Sequence, residues 1–230
     1  MGNIITARNI VRKYKLGDGS DFYALKGVDM DIRESALTIL KGRSGSGKTT
    51  LLNILSALDD CTEGEVTFDG NSYSDMSVKE KEIMRRNNVG FVFQSVALIP
   101  IMNSFENVDF SLRLANYKGD HHERIKQVLK LVDMEERIYH FPGQMSGGEQ
   151  QRIAIARAVA HKPKVIFADE PTGALDTETG LKVMKLFRDL IEKENITIVM
   201  TTHDPNLMEL GDVVYEMEDG ELHVESKKEE

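Results

Sequence analysis

Apolar positions along the chain follow two different periods. Residues 4–15 and 23–32 alternate apolar and polar side chains in part, on either side of Gly17-Asp18-Gly19-Ser20, and predict two strands joined by a turn. A short apolar run over 36–41 predicts a third strand, leading into a glycine-rich loop and then a helix over 48–58. Residues 65–68 before Asp69-Gly70 predict part of a hairpin. Ser77 with Glu80 forms a capping-box pattern for a helix reaching Arg86. Residues 89–93 have the continuous apolar character of a buried strand, whereas about 95–160 show helical spacing and no convincing strand. Short β-branched strands return at 165–168 and 196–202, separated by a helix over 177–193. Residues 213–217, Asp219-Gly220 and 222–224 predict a closing hairpin, with 226–230 expected to fray. The order describes an α/β core over 1–94 and 161–230, with an antiparallel β part near its start and a helical insertion at about 95–160.

Composition narrows this little. At 230 residues, with 40% hydrophobic and 29% charged residues, the chain has the balance of an ordinary globular protein. Its net charge of −9 argues against nucleic acid as a main partner. One cysteine, Cys61, excludes an internal disulfide framework and fits a reducing compartment. The first residues lack a basic segment followed by an apolar core, so no secretion signal is expected, and Gly2 with Thr6 fits a myristoylation pattern only loosely. The longest apolar stretch, 89–102, is interrupted by Gln94, Ser95 and Pro100 and is too short to span a bilayer, so membrane work would fall to another chain.

Three segments carry chemistry. Gly42-Arg43-Ser44-Gly45-Ser46-Gly47-Lys48-Thr49, followed by Thr50, fits the phosphate-loop pattern in its required strand–loop–helix context. Its glycines let backbone N–H groups approach phosphate. Lys48 would reach the β- and γ-phosphates, and the Thr49 hydroxyl would join a Mg²⁺ shell. Asp169 and Glu170 end an apolar strand, where ligands sit in open α/β sheets: Asp169 suits the Mg²⁺ shell, and Glu170 can take a proton from an attacking water. Ser146-Gly147-Gly148 opens a helix and forms a second candidate anion site. Because the chain already holds one phosphate cradle, the second is best explained by nucleotide held on another copy.

Other candidates are read from position. Gln94, at the end of one strand, can touch both the metal and the attacking water, and His203, at the end of another, can contact a γ-phosphate. Tyr14 is either an adenine-stacking surface or a core residue. His121-His122 reads as a solvated helix start rather than a metal site, since adjacent helical residues point apart.

Together these residues resemble the ATP-binding-cassette (ABC) ATPases over nearly the whole chain, with the phosphate-loop NTPase core, antiparallel β subdomain and inserted helical subdomain of that family. The resemblance is carried by Ser44-Gly45-Ser46-Gly47-Lys48, Leu51-Leu52-Asn53, Gly90-Phe91-Val92-Phe93-Gln94, Glu106-Asn107-Val108, Ser146-Gly147-Gly148 and Glu170-Pro171-Thr172-Gly173-Ala174-Leu175-Asp176, and is strongest for the MacB/LolD-type subunits of FtsX-like permeases. It implies a head-to-tail dimer enclosing two ATP with Mg²⁺. Lys48, Thr49, Gln94, Asp169, Glu170 and His203 of one copy would face Ser146, Gly148 and the neighbouring Glu149 of the other. Asp176 would lie at the seam and Tyr14 would stack on adenine. The apolar segment 96–102 would receive a permease helix, placing the chain in the cytoplasm on the inner face of the membrane. An FtsE-like or Bce-type subunit, whose membrane partner signals or confers antimicrobial-peptide resistance, uses the same residues. Chromosome and repair ATPases share the motifs but need a long coiled coil where this chain has only 95–145.

Three positions depart from the family pattern. Met145 replaces leucine, a volume-conserving change. Glu149 stands where glutamine is commonest and should turn away from phosphate. Ser35-Ala36 replaces the usual Gly-Glu, at a cost of about 1 kcal/mol if Ser35 must adopt a positive φ. All the catalytic groups remain, so an active ATPase is expected.

Overall fold

The computed structural model describes residues 2–173 and 175–227, which group into two compact units, Met1–Arg85 with Val199–Glu230, and Arg86–Ile198. In the first unit β1 (Asn3–Lys15) pairs antiparallel with β2 (Asp21–Arg33) and β4 (Glu63–Phe68), and β4 pairs with the short β5 (Asn71–Ser72). Simple alternation would not bury Ile5, Ala7 and Ile10 together. A bulge between Ala7 and Ile10, with Asn9 at φ 51°, resets the phase so that all three face inward. Asp69-Gly70 and Asp219-Gly220 both have two successive positive φ values, as the type I′ hairpin turn requires.

The other strands of this unit pair both parallel and antiparallel. β3 (Leu37–Lys41) runs parallel to β9 (Val213–Glu218), and β9 turns back into β10 (Glu221–Lys227). Residues 199–202 of β8 (Thr197–Thr202) lie on the other side of β3. Ser226 and Lys227 pair with Val214 and Val213, so the expected fraying does not begin there; residues 228–230 lie outside the described residues. The Tyr215 hydroxyl donates to Asp31 O (3.0 Å) and accepts from Asp31 N (3.3 Å), fastening the parallel strands to the antiparallel sheet.

Helix α1 (Lys48–Leu55) buries Leu51, Leu52, Ile54 and Leu55. It ends three residues before the expected 58, because Ala57 turns left-handed (φ 58°) and its N–H bonds Ile54 O, while Leu58 N–H bonds Asn53 O. That pair of bonds is a Schellman stop. Ser77 and Glu80 form the predicted reciprocal hydrogen bonds at the start of α2 (Val78–Asn88). Ser35 has φ 50°, the positive-φ turn anticipated from its replacement of glycine.

The second unit contains the parallel pair β6 (Val89–Val92) and β7 (Val165–Ala168), with α3 (Ser104–Leu114), α4 (His121–Leu131), α5 (Gly147–Val159) and α6 (Thr177–Glu194). Between β6 and β7 the described residues form helices, turns and loops without a strand, as their spacing predicts. Val108, Leu112, Ile125, Val128, Leu129, Ile153 and Val159 supply a fully buried apolar core. Buried polar groups brace it. Arg124 donates to the last carbonyls of α5, Val159 O (3.2 Å) and Ala160 O (2.9 Å), which also suits the negative end of a helix. Asn107 folds residues 99–103 onto α3 through Ile99 N, Ile99 O, Met102 O and Asn103 O.

His121 departs from the solvated helix start. Its Nδ1 lies 2.6 Å from Asp109 Oδ1, an acid that also accepts from Arg113, so the imidazole ties α4 to α3. Burial pushes the Asp109 carboxyl up, but the bonds to His121 and Arg113 outweigh it and leave it below its ordinary range. Among the described residues no group of three or more His, Cys, Asp or Glu side chains forms a metal cluster. None of the described helices is long and apolar enough to cross a membrane.

Candidate active site

The phosphate-loop residues belong to the first unit. Gly42 leaves β3 with φ 148°, and a Cβ there would sit 2.2 Å from Met217 O. Gly47 has φ 110°, and its Cβ would meet Ala24 O at 2.6 Å. Any L side chain at either position is excluded by both backbone conformation and space. Ser46 N–H bonds Arg43 O, and Ser46 O accepts from Gly220 N–H at 3.0 Å, so the second hairpin turn braces the loop.

Local chemistry suits an anion. Gly47 caps α1 with no side-chain hydrogen bond, and the first turn carries no acid, leaving the helix N-terminus electropositive. Buried Lys48 curls over the loop, and its Nζ donates to Gly42 O (2.7 Å) and Arg43 O (2.9 Å). Ser46 Oγ is buried without a hydrogen-bond partner among the described residues, an orphan that phosphate oxygen would satisfy. Arg43, Ser44, Gly45 and Thr49 are exposed, and Thr50 is half-buried. The loop therefore fits the phosphates of a nucleotide.

Tyr14 is not a core residue. It stands on β1, 37% exposed, with its hydroxyl 3.2 Å from Asp59 Oδ2 and the Arg12 guanidinium 4.7 Å from its ring centroid. His203 is exposed just beyond β8, where Thr202 Oγ1 accepts from Asp204 N–H and Asp204 caps α7 (Pro205–Met208).

The remaining candidates belong to the second unit. β6 and β7 run in register from Val89↔Val165 to Val92↔Ala168, so Gln94 and Asp169-Glu170 emerge from neighbouring strand ends. Asp169 N–H bonds Val92 O (3.0 Å), and Gln94 Nε2 donates to Glu170 Oε2 (3.1 Å). Glu170 has φ 45°, and its carbonyl accepts from Gly173 N–H in the turn that follows. Ala174, within the 170–176 motif, lies outside the described residues. Asp176 caps α6, its oxygens accepting from Thr179 N (3.0 Å) and Thr179 Oγ1 (2.7 Å), bonds that hold its carboxyl below the usual range.

Ser146 caps α5, where Gly147 and Gly148 begin the helix. A Cβ on Gly148 would come within 2.7 Å of Thr179 Cγ2, so the Ser146–Gly148 turn lies against the residue that Asp176 holds. Glu149 turns back from the helix end: Oε2 accepts from Ser146 N (2.8 Å), and Oε1 from Arg137 Nε (2.9 Å). Those bonds, that from Ser146 N foremost, lower its carboxyl to a pKa of about 2. Met145 is buried, with the Ser104 hydroxyl 3.7 Å from its sulfur, consistent with a tolerated exchange for leucine.

Local spacing gives no sign of several contributors. Arg157, on α5, donates to Val96 O and Ala97 O, two consecutive residues held at φ 62° and 50° just beyond Gln94. The bond of Arg137 to Glu149, and that of Gly220 to Ser46 beyond its role in its own turn, are likewise visible only in the folded chain. Ile101, 83% exposed, marks the apolar stretch after Gln94.

Parallel strands ending in Gln94 and two carboxylates, together with a glycine loop shaped for phosphate, define a nucleotide-binding α/β protein. The profile of the ABC transporter family matches residues 25–173. An uncharacterized ABC transporter ATP-binding protein of Methanocaldococcus jannaschii, MJ0796, is 43% identical over 97% of each chain. Its dimeric structure, described as a bacterial ABC transporter cassette, superposes with a TM-score of 0.90 at 41% identity, covering 98% of this chain and 99% of that one. A macrolide export ATP-binding/permease protein, MacB, of Syntrophobacter fumaroxidans is 38% identical over 97% of this chain, which spans 32% of that protein's length. The chain belongs to the ABC transporter family, as an ATP-binding, ATP-hydrolysing cassette.

Proposed function

We propose that the chain is the ATPase subunit of a transporter, closing as a head-to-tail pair around two ATP and driving a separate permease of MacB/LolD/FtsX type. The phosphate loop carries the reading: Gly42 and Gly47 pressed against carbonyls, an α1 N-terminus free of acids, and the orphaned Ser46 hydroxyl make a cradle for a polyanion. In this assignment the backbone of residues 42–50 and Lys48 bind the phosphates, and Tyr14 stacks on adenine. Thr49, Gln94 and Asp169 would hold Mg²⁺, which would supply positive charge to offset that of the phosphates. Glu170 accepts the proton of the attacking water, with Gln94 orienting that carboxylate and His203 touching the γ-phosphate.

Ser146, Gly147, Gly148 and Asp176 are assigned to nucleotide on the second copy, with the Glu149 side chain in the same helix turn folded back on Ser146 N and Arg137 Nε. The contact of Gly148 with Thr179, which Asp176 holds, supports treating them as one surface. Dimerisation is supported by the M. jannaschii cassette, whose structures include a post-hydrolysis dimer bound to ADP and Pi. MacB-type relatives support a permease partner. Residues 1–94 and 161–230 serve as the catalytic core, and about 95–160 as the helical subdomain that meets the permease through 96–102. This places the subunit in the cytoplasm at the inner face of the membrane. Glu170→Gln should abolish turnover and accumulate an ATP-bound dimer on size-exclusion chromatography. A variant that stays monomeric in saturating ATP would sink the paired mechanism for the isolated subunit.

A further inference from the structure

The first turn of α5 holds an acid where the proposed reading requires attraction for phosphate. A carboxylate there can lie in the capping box or swing out beside the N–H groups of Gly147 and Gly148, cancelling the positive end of the helix. Both Glu149 oxygens are occupied, one by Ser146 N and the other by Arg137 Nε. Two contacts at opposite oxygens fix one orientation, and the guanidinium offsets the charge.

Arg137 is delivered independently of α5. It ends a 3-10 turn (Glu135–Arg137), where its N–H bonds the carbonyl of buried Met134 and the following Ile138 O accepts from Phe105 N–H on α3. The surrounding charge makes this arginine consequential. Asp133, Glu135, Glu136 and Glu149 line one cleft of about 290 Å³ with Arg137 and Arg152. Four acids face two cations, and loss of Arg137 leaves four facing one beside the anion-binding end of α5.

We propose that Arg137 is a positioning residue for the nucleotide held by a second copy: it restrains and neutralises Glu149 so that Ser146, Gly147 and Gly148 present an electropositive end to phosphate. The inference rests on the paired reading above. Arg137 touches no nucleotide itself and acts through Glu149.

The test measures ATP-dependent dimerisation of the full chain by sedimentation, with Glu170→Gln as parent. Arg137→Ala should weaken dimerisation roughly five- to thirty-fold, the range expected for an unshielded charge at a helix N-terminus, and more at low salt than at high. Glu149→Gln added to Arg137→Ala should restore dimerisation to within about threefold, because the offending charge is then gone. Arg137→Lys should keep most of it. Binding of a fluorescent ATP analogue to the monomeric form should be unchanged in Arg137→Ala, whose own phosphate loop is intact. A dimerising parent unaffected by Arg137→Ala overturns the proposal alone. So does a loss that Glu149→Gln fails to repair, which would assign Arg137 to scaffolding. A parent that never dimerises overturns the paired reading and this proposal with it.

Discussion

Gly90→Ala tests how tightly β6 is wedged against α5. Gly90 has no left-handed backbone, so the substitution isolates space from conformation. A methyl there would sit 2.5 Å from Ala158 O, 3.1 Å from Ile166 Cγ1 and 3.2 Å from Ala158 C. The nearest atom is a helix carbonyl rather than a side chain that can rotate, so strand and helix must separate by roughly an ångström. Overpacking of this kind costs about 1–3 kcal/mol, against which replacing glycine in a strand returns about 0.5–1 kcal/mol of backbone entropy. The net loss of about 1–2 kcal/mol should lower the melting temperature by roughly 2–8 °C in a chain of this size. Gly143→Ala, where a Cβ meets nothing within 4 Å, should melt within about 1 °C of the parent. Paired thermal melts by circular dichroism decide it. If Gly90→Ala melted with Gly143→Ala, the close approach of β6 to Ala158 would be wrong.

Tyr73→Phe removes a buried hydroxyl that donates to Leu55 O at 2.7 Å, and should cost about 1–2 kcal/mol in urea unfolding; an unchanged midpoint would contradict that bond. Burial holds the His161 imidazole below its ordinary 6.5, outweighing the bond to Val89 O, so the unfolded chain takes up the proton first. Stability should therefore fall as pH drops below 6.5, and melts from pH 7.5 to 5.5 should fall less in His161→Gln; parallel profiles would exclude His161 as the cause. Ala97→Gly relieves a left-handed alanine at about 1–2 kcal/mol while adding about 0.5–1 kcal/mol of unfolded-state entropy. A net gain of about 0.5–1 kcal/mol is expected from chemical denaturation, and a loss would show the turn to be unstrained.

The parts of the fold readable in sequence are those decided within a few residues. Gly42 and Gly47 are obligatory for local backbone reasons, Asp69-Gly70 and Asp219-Gly220 set their own turns, and Ser77 with Glu80 closes its own cap. Asp169 and Glu170 were legible as strand-end carboxylates, since an apolar run of four residues locates the edge. Tertiary partners were not legible. Arg157 meets Val96 and Ala97 across some sixty residues, and no periodicity encodes that contact. His121 has the sequence signature of a solvated helix start because its partner Asp109 lies one helix away, and that contact turns a surface position into a tie between helices. The early stop of α1 depended on an alanine adopting a conformation that its propensity disfavours.

The bond from Gly220 N–H to Ser46 O also has a bearing on synthesis. The residues that cradle phosphate are translated 174 residues ahead of their brace. At about 5–20 residues per second that interval is roughly ten to thirty-five seconds. Throughout that interval the Ser46 carbonyl lacks its bond from Gly220 N–H, so this brace on the loop forms only after residue 220 has been made.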